Sequence, residues 1–512
     1  MERVPSHPVL TCAEARAWEK ARFTDLALEW AAMQEAGEKV ARSILDDYRE
    51  IGGLPAKARL LVLAGKGHNG GDALLAARTI LAERPAATAV VVLAFGAGDL
   101  RPLAGRALDW LREQAPARAQ LLPAEQALAT GQEYALCLDG IFGFQFRAPM
   151  DEPIARLIVQ VNAHRGIRFR AAVDLPSGIG ETSVATCFHA DFTYATGSVK
   201  YPALRPRHAV VVGRLRYVDI GLLREDSAPD ATERILVESV LQPLAELRAS
   251  QTDKRTYGHL LVVGGSHSYP GAVVLAARAA LRSGAGLVTA FVPEKLAPDC
   301  AARHPEIMWV GCPVTATGGL AAGTAELVHA RSARATALLI GPGLGADPET
   351  LAGVQAIVRN TNIPLVLDAD ALRPEVVAHV RDKVFIGTPH AGEFDRIAPT
   401  LFTDGNFTAP HGVLVLKGPL TRVTDGRKIY HSPFGGPVLA RGGSGDILAG
   451  LIGGLLAQKP DDPMLAACRG VVWHGRAADL LARAHGQVSV EISEILEQLG
   501  PALSPTPWQT HP

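Results

Sequence analysis

Cysteine is scarce in this sequence and neither charge is in excess, and each shortage removes function classes. The six cysteines, Cys12, Cys137, Cys187, Cys300, Cys312 and Cys468, are scattered over 512 residues with no C-x-x-C pair and no Cys/His ligand spacing. Each reads as a small buried apolar residue, so neither disulfides nor a transition metal are expected. Lys plus Arg total 51 against 52 for Asp plus Glu. A nucleic-acid binder would show a basic excess or stripe, and a peripheral membrane protein a basic amphipathic helix. Both are missing. No run of 18 apolar residues occurs, so no spanning helix is expected. The opening MERVPSHPVLTCAEARAWEK is broken by charge and proline before it reaches signal-peptide length. The expectation is a soluble, cytoplasmic homo-oligomer with small-molecule partners, binding neither nucleic acid nor membrane.

Hydrophobic residues make up 48% and charged ones 20%, enough apolar material to fold throughout. At 512 residues the chain exceeds one ordinary core. In the first half the runs RLLVLA (59–64), TAVVVLA (88–94), YALCLD (134–139) and FRAAVDL (169–175) alternate with Ala/Leu/Arg-rich helical stretches. Continuous apolar strands spaced this way predict a parallel sheet covered on both faces by helices. Between about 222 and 235 the polar LLREDSAPDATE reads as a linker. A second alternation follows: HLLVVGG (259–265), LVTAFVP (287–293), ALLIGPG (337–343), LVLDAD (365–370) and GVLVLKG (412–418). Asp-Gly within TRVTDGRKIYH predicts a hairpin near 421–431. Two α/β domains are expected, over residues 1–225 and 236–505.

The second half carries the clearer chemistry. Loops after its strands, GGSHSYPGA, IGPGLG, GTPHAGEF and LKGPLT, converge with ARGGSGDILAG, and each carries glycine. In a doubly wound sheet ligands gather beyond the carboxyl ends of the strands. Gly442, Gly443 and Gly445 permit backbone NH groups to converge on an anion at the start of a helix, whose terminal partial charge favours phosphate. Asp446 then stands beside that anion hole, either as a helix-stabilising acid or as a base close to a reacting hydroxyl. The second reading is the stronger.

GGSGDILAG resembles the signature of ribokinase-like enzymes, in which a Gly-rich anion hole precedes an Asp base. With KRTYGHLLVVGGSHSYPGA, IGPGLG, LDADAL, TPHAGEF and VLKGPLT in this order, residues 245–500 resemble the ADP-dependent NAD(P)H-hydrate dehydratases. The resemblance implies a ribokinase-like α/β domain in which Ala272, Gly343, His390 and Asp446 contact the hydrated dinucleotide. Lys417, Gly418, Pro419, Leu420, Thr421 and Gly445 would hold ADP, and Glu393 would help place Mg²⁺ through water. Arg441 departs from the small or hydroxylated residue expected before GGSGD.

In the first half GKGHNGGD follows RLLVLA, and Gly65, Gly67 and Gly70 fit G-x-G-x-x-G. The next strand ends in LAFGAG with no acid for the ribose, which disfavours a plain dehydrogenase. Asp139 and Asp174 end later strands, and with Asn69 and Ser177 they offer oxygen ligands only, suiting a hard cation such as K⁺. Together with LTCAEARAWE, LDGIFGF, VDLPSGIG and ATGSVK, residues 8–220 resemble the NAD(P)H-hydrate epimerases, with a Rossmann-like doubly wound fold. The resemblance makes Asn69, Asp139 and Ser177 the K⁺ ligands. It places His68, Asn69, Gly70, Gly71, Asp72, Ala73, Gly143 to Pro149 and Asp174 around the substrate, with Asp174 as acid/base. His68 stands for an expected Asn, Ala73 for a Gly, Gly180 for a common Asp, and IFGFQF lacks a second Gly; bulk in that turn is expected to narrow the pocket.

The joint expectation is a bifunctional repair enzyme. Its dehydratase half uses ADP to return the S epimer of NAD(P)H hydrate to NAD(P)H with release of AMP and phosphate, and its epimerase half interconverts the R and S forms. The rival is a ribokinase-like small-molecule kinase with a non-catalytic N-terminal ligand-binding module.

Overall fold

The computed structural model describes residues 3–223 and 230–506. The chain divides into two compact units, one built chiefly on His7–Ala231 and the other on Thr232–Leu481 with Val488–Pro505. Part of the expected linker, residues 224–229, lies outside the described residues. Among the described residues no helix is long and apolar enough to cross a membrane. All six cysteines are free thiols, five of them buried and Cys300 partly so.

In the N-terminal unit β1 (Ser6–Leu10) is followed by β2 (Arg59–Ala64), β3 (Thr88–Leu93), β4 (Ala119–Leu121), β5 (Leu136–Gly140) and β6 (Arg170–Val173). Then come β7 (Phe192–Thr196), the short β8 (Val199–Lys200) and β9 (Arg214–Val218). Seven of these form one sheet in the order β4-β3-β2-β5-β6-β7-β9, with every neighbouring pair parallel. The four apolar runs read from the sequence are β2, β3, β5 and β6. Their side chains are buried on both faces, in a core that includes Leu60, Val62, Leu136 and Leu138 on one side and Leu61, Leu63, Cys137 and Ala172 on the other. Strand order reverses between β2 and β5, so the loops leaving these two strands flank a topological switch point.

The C-terminal unit contains β10 (Glu233–Leu236), β11 (His259–Val263), β12 (Leu287–Pro293), β13 (Met308–Cys312), β14 (Ala337–Ile340), β15 (Leu365–Leu367) and β16 (Phe385–Gly387). A two-residue ladder, β17 (Phe402–Thr403) and β18 (Asn406–Phe407), precedes β19 (Gly412–Leu416), β20 (Thr421–Thr424) and β21 (Ile429–Ser432). The order runs β13-β12-β11-β14-β15-β16-β19-β20-β21-β10, parallel up to β19 and then antiparallel through the hairpin β20–β21 that Asp425-Gly426 turns. Here the switch point lies between β11 and β14.

The helix Ser444–Gln458 is buried along most of its length and packs against the helix Pro270–Arg282. A methyl group on Gly450 would stand 2.1 Å from the Ala276 carbonyl oxygen, so the two backbones touch where a side chain would part them. This close packing fixes the N-terminus of Ser444–Gln458, and hence Asp446, relative to the sheet.

Candidate active sites

At the carboxyl ends of β15 and β19 the C-terminal unit presents a compact set of charges. Asp368, one residue past β15, is 1% exposed, and its Oδ1 accepts hydrogen bonds from Thr388 Oγ1 at 2.6 Å and from Lys417 Nζ at 2.9 Å. Lys417, one residue past β19, also lies 3.7 Å from Glu393 Oε2. Burial works against the lysine's charge, but Asp368, Glu393 and Asp446 outweigh it and raise its pKa. Asp446 sits in the first turn of Ser444–Gln458, preceded by Gly443 at φ 91°, a left-handed conformation that favours glycine. Burial, then repulsion from Asp368, pushes its carboxyl up to about 6, against the pull of Lys417. A carboxyl so placed is ionised at neutral pH yet basic enough to accept a proton.

Gly343, at φ 68°, brings the β14 loop onto the helix Pro270–Arg282: a methyl group there would stand 2.4 Å from the Tyr269 carbonyl oxygen and 3.0 Å from Ala272 Cβ. His390 caps the helix Ala391–Leu401 in a reciprocal box with Glu393, whose Oε2 accepts from the His390 backbone NH at 2.7 Å. Gly445 faces the same cluster, 3.3 Å from Lys417 Nζ to an added methyl. Gly418 and Pro419 are exposed beyond Lys417, and Thr421 opens β20 with its hydroxyl donating to the Gly418 carbonyl at 3.3 Å.

In the N-terminal unit a cavity of about 520 Å³ opens at the switch point, lined by His68, Asn69, Asp72, Gly143 and Asp174 among others. Asp174, just past β6, holds φ 66°. Its Oδ2 accepts from Phe144 NH at 2.8 Å, and its Oδ1 lies 2.5 Å from Nζ of Lys200, which is 1% exposed. Lys200 is carried there by β8, paired with β1 through Leu10. Asp139 is fully buried at the end of β5. Its Oδ1 accepts from Ser177 Oγ at 2.6 Å and its Oδ2 from Ser177 NH at 2.7 Å. Burial still raises its carboxyl to about 6, the Ser177 bonds opposing. Phe142 joins the group, its NH donating to Ser177 Oγ at 2.9 Å and its carbonyl accepting from Asn69 Nδ2 at 2.9 Å. Asp72 is raised well above the carboxylate range, first by burial and then by Asp174 and Glu19.

The family model for NAD(P)H-hydrate dehydratase matches residues 260–500, and that for the YjeF-related protein N-terminus matches residues 30–201. The bifunctional NAD(P)H-hydrate repair enzyme of Moorella thermoacetica is 35% identical, covering 91% of this chain and 91% of its own. Its namesake from Gloeobacter violaceus is 35% identical over 93% of each. The chain belongs to the bifunctional NAD(P)H-hydrate repair enzymes. Among solved structures, an ADP/ATP-dependent NAD(P)H-hydrate dehydratase from Bacillus subtilis, co-crystallised with ATP/Mg²⁺, is 29% identical over 52% of this chain and 96% of that one, with a TM-score of 0.43. A ribokinase-like superfamily protein from Enterococcus faecalis is 26% identical over 54% and 97%, with a TM-score of 0.45.

Within this repair-enzyme chain the residues singled out from the sequence fall into two groups. Asp446, Gly445, Lys417, His390, Gly343 and Ala272 lie along the carboxyl ends of the C-terminal strands and the helices that follow. In the N-terminal unit Asn69, Asp139 and Ser177 share one hydrogen-bonded group, while Gly70 and Gly71 pack beneath the cavity: methyl groups on them would stand 2.1 Å from the Gly65 carbonyl oxygen and 2.5 Å from Met33 Sδ. Arg441 is spent on structure, donating to the Val490 and Val488 carbonyl oxygens at 2.5 and 2.6 Å. The altered IFGFQF turn lines the cavity with Phe142, Phe144 and Phe146, and a methyl on Gly180 would stand 2.9 Å from the Phe146 carbonyl oxygen. The small residue at 180 makes room for the larger turn.

Sequence reasoning passed over Asp368, Thr388, His474, Lys200 and Glu19. Asp368 was signalled by an acid directly after the strand LVL, and Lys200 by its place at the end of ATGSVK. His474 carried no signal. It lies in a long helix, buried 3.5 Å from Ser444 Oγ, where burial and then Lys417 lower it to about 4 and keep it neutral.

Proposed function

We propose that residues 236–505 dehydrate the S epimer of NAD(P)H hydrate with ADP, and that residues 1–225 interconvert the R and S epimers. The observation that carries the first assignment is Asp446: a partly buried carboxyl raised to about 6, at a helix N-terminus beside Lys417. Its carboxylate takes the proton of the C6 hydroxyl as that oxygen attacks the β-phosphorus of ADP, and AMP leaves. The ring nitrogen's electron pair then expels phosphate from C6, a far better leaving group than hydroxide, and loss of a ring proton restores the dihydropyridine. Lys417 meets the nucleotide phosphates as a point charge, with Gly418, Pro419, Leu420, Thr421 and Gly445 around them.

Mg²⁺ fits as a companion of the nucleotide rather than a caged ion, since Asp368 and Glu393 already share Lys417, and Glu393 would help place it through water. K⁺ fits the N-terminal unit, where oxygens of Asp139, Ser177 and the Phe142 carbonyl crowd together and the Asn69 amide nitrogen donates to that carbonyl. It would supply electrostatic support for the substrate, and Asp174 stands as acid/base beside Lys200.

The test gives the pure protein mixed-epimer NADH hydrate with ADP and follows recovery of reduced-nicotinamide absorbance. Complete recovery supports both activities. Recovery that stalls after the S epimer is consumed removes the epimerase, and no recovery removes both.

A further inference from the structure

Opening the hemiaminal ring at C6 requires two proton movements on two atoms: one leaves the hydroxyl oxygen and one reaches the ring nitrogen. Asp174 is poorly placed to do both, because Lys200 and the Phe144 NH occupy its two oxygens. Resting on the reading of the N-terminal unit as an epimerase, we propose that Glu19 is its second proton-transfer group. Its carboxylate takes the hydroxyl proton while the Asp174–Lys200 pair gives one to the nitrogen.

In that step the O–H pair becomes the second bond of an aldehyde, and the C6–N pair passes to nitrogen, which takes up the proton and stays conjugated with the adjoining double bond and carboxamide. Rotation about the freed chain presents the other face of the aldehyde. Closure runs the same transfers backwards, so proton and charge balance without a co-reactant.

Three observations converge on Glu19. It projects from the helix Cys12–Arg22 into the wall of the 520 Å³ cavity that Asp174 also lines. Among the described residues its carboxyl has no hydrogen-bond or ion-pair partner, unlike that of Asp174, so it is free to engage a ligand. Burial raises it to about 7, with Lys200 and Arg16 opposing and Asp174 and Glu29 adding to the rise. Around the same cavity stand Asp72 and His68, the first raised well above its ordinary value by burial and then by Asp174 and Glu19, and the second 3.3 Å from Glu29. Glu19 is thus the carboxyl poised to exchange a proton near neutrality.

The experiment supplies R-NADH hydrate to the full chain without ADP, which silences dehydration, and measures the S form by chromatography across pH. The wild-type rate should rise with pH through about 7 as Glu19 ionises. Glu19→Gln should lose roughly 10²-fold and that limb of the profile, with the hydrate KM and the ADP-dependent reaction on the S epimer unchanged. Glu19→Asp, which keeps the acid but shortens its reach, should lose roughly 10-fold and keep the limb. A Glu19→Gln rate within threefold of wild type, or a limb that vanishes only in Asp72→Asn, overturns the proposal. If Glu19→Gln does not fold, an Asp variant as fast as wild type overturns it equally. A wild-type protein that never forms the S epimer removes the epimerase reading itself.

Discussion

Asp446→Asn separates a base from a helix cap by moving activity and stability in opposite directions. Asn keeps the size but cannot accept a proton, so dehydration should fall roughly 10²-fold or more while ADP still binds. For stability, the carboxyl is raised from 3.8 to about 6. The folded state therefore binds its proton more tightly than the unfolded chain does. The wild type carries no penalty below the unfolded pKa, and loses stability as pH climbs through about 6. A rise of that size corresponds to about 3 kcal/mol at most, and partial exposure reduces this to about 1–2 kcal/mol. A purely capping acid would instead cost about 0.3–1 kcal/mol when removed. Asp446→Asn should thus melt about 2–4 °C above wild type at about pH 7.5, with the difference vanishing near about pH 4. Calorimetry at both pH values, alongside absorbance recovery from S-NADH hydrate, decides it. A variant that is less stable at neutral pH and still turns over refutes the assignment.

Lys417→Ala should raise the KM for ADP more than tenfold (roughly, for a lost phosphate contact) and that for the hydrate little, and cost about 3 kcal/mol because Asp368 stays buried without its cation; steady-state kinetics and a melt check both. Asp139→Ala should abolish epimerisation together with its K⁺ dependence, read as the rate in K⁺ against Na⁺ at equal ionic strength, while the ADP-dependent reaction persists. Gly180→Ala should destabilise the N-terminal unit by about 1–3 kcal/mol, because its methyl meets the Phe146 carbonyl, and epimerisation should fall with it. Dehydration in the wild type should decline below about pH 6 as Asp446 takes up its proton, seen as the acid limb of kcat/KM.

The buried strands were readable because a strand covered on both faces leaves an unbroken apolar run, as RLLVLA and HLLVVGG do. Strands such as β7, FTYAT, and β9, RLRYV, mix polar residues into buried positions and hide that signal. Arg216 in β9 is 7% exposed yet paired with Asp47 at 2.8 Å, a long-range partner no local window reveals. The sites divide in the same way. GGSGD announces Asp446, because glycines before a helix leave a local mark. Lys200 and Glu19 reach the cavity from β8 and from the first helix, and their meeting with Asp174 depends on tertiary pairing.

The two sites share a charge arrangement that bears on how a polyanionic substrate enters. Lys417 faces Asp368, Glu393 and Asp446, and Lys200 faces Asp174 with Asp72 and Glu19 close enough to shift one another. Carboxyls outnumber their cation in each place, and burial with mutual repulsion raises Asp446 in one and Glu19 and Asp72 in the other. Such an acidic cluster suits proton transfer at a neutral hydroxyl. In the N-terminal cavity it would repel the substrate's pyrophosphate, which must therefore lie elsewhere. In the N-terminal unit exposed Lys20, Lys66, Arg101 and Arg147 line the cavity mouth, while Asp174 lies buried within. Phosphates held at that basic rim would leave only the hydrated ring to descend among the carboxyls, so the same electrostatics that repel one end of the substrate would orient the other.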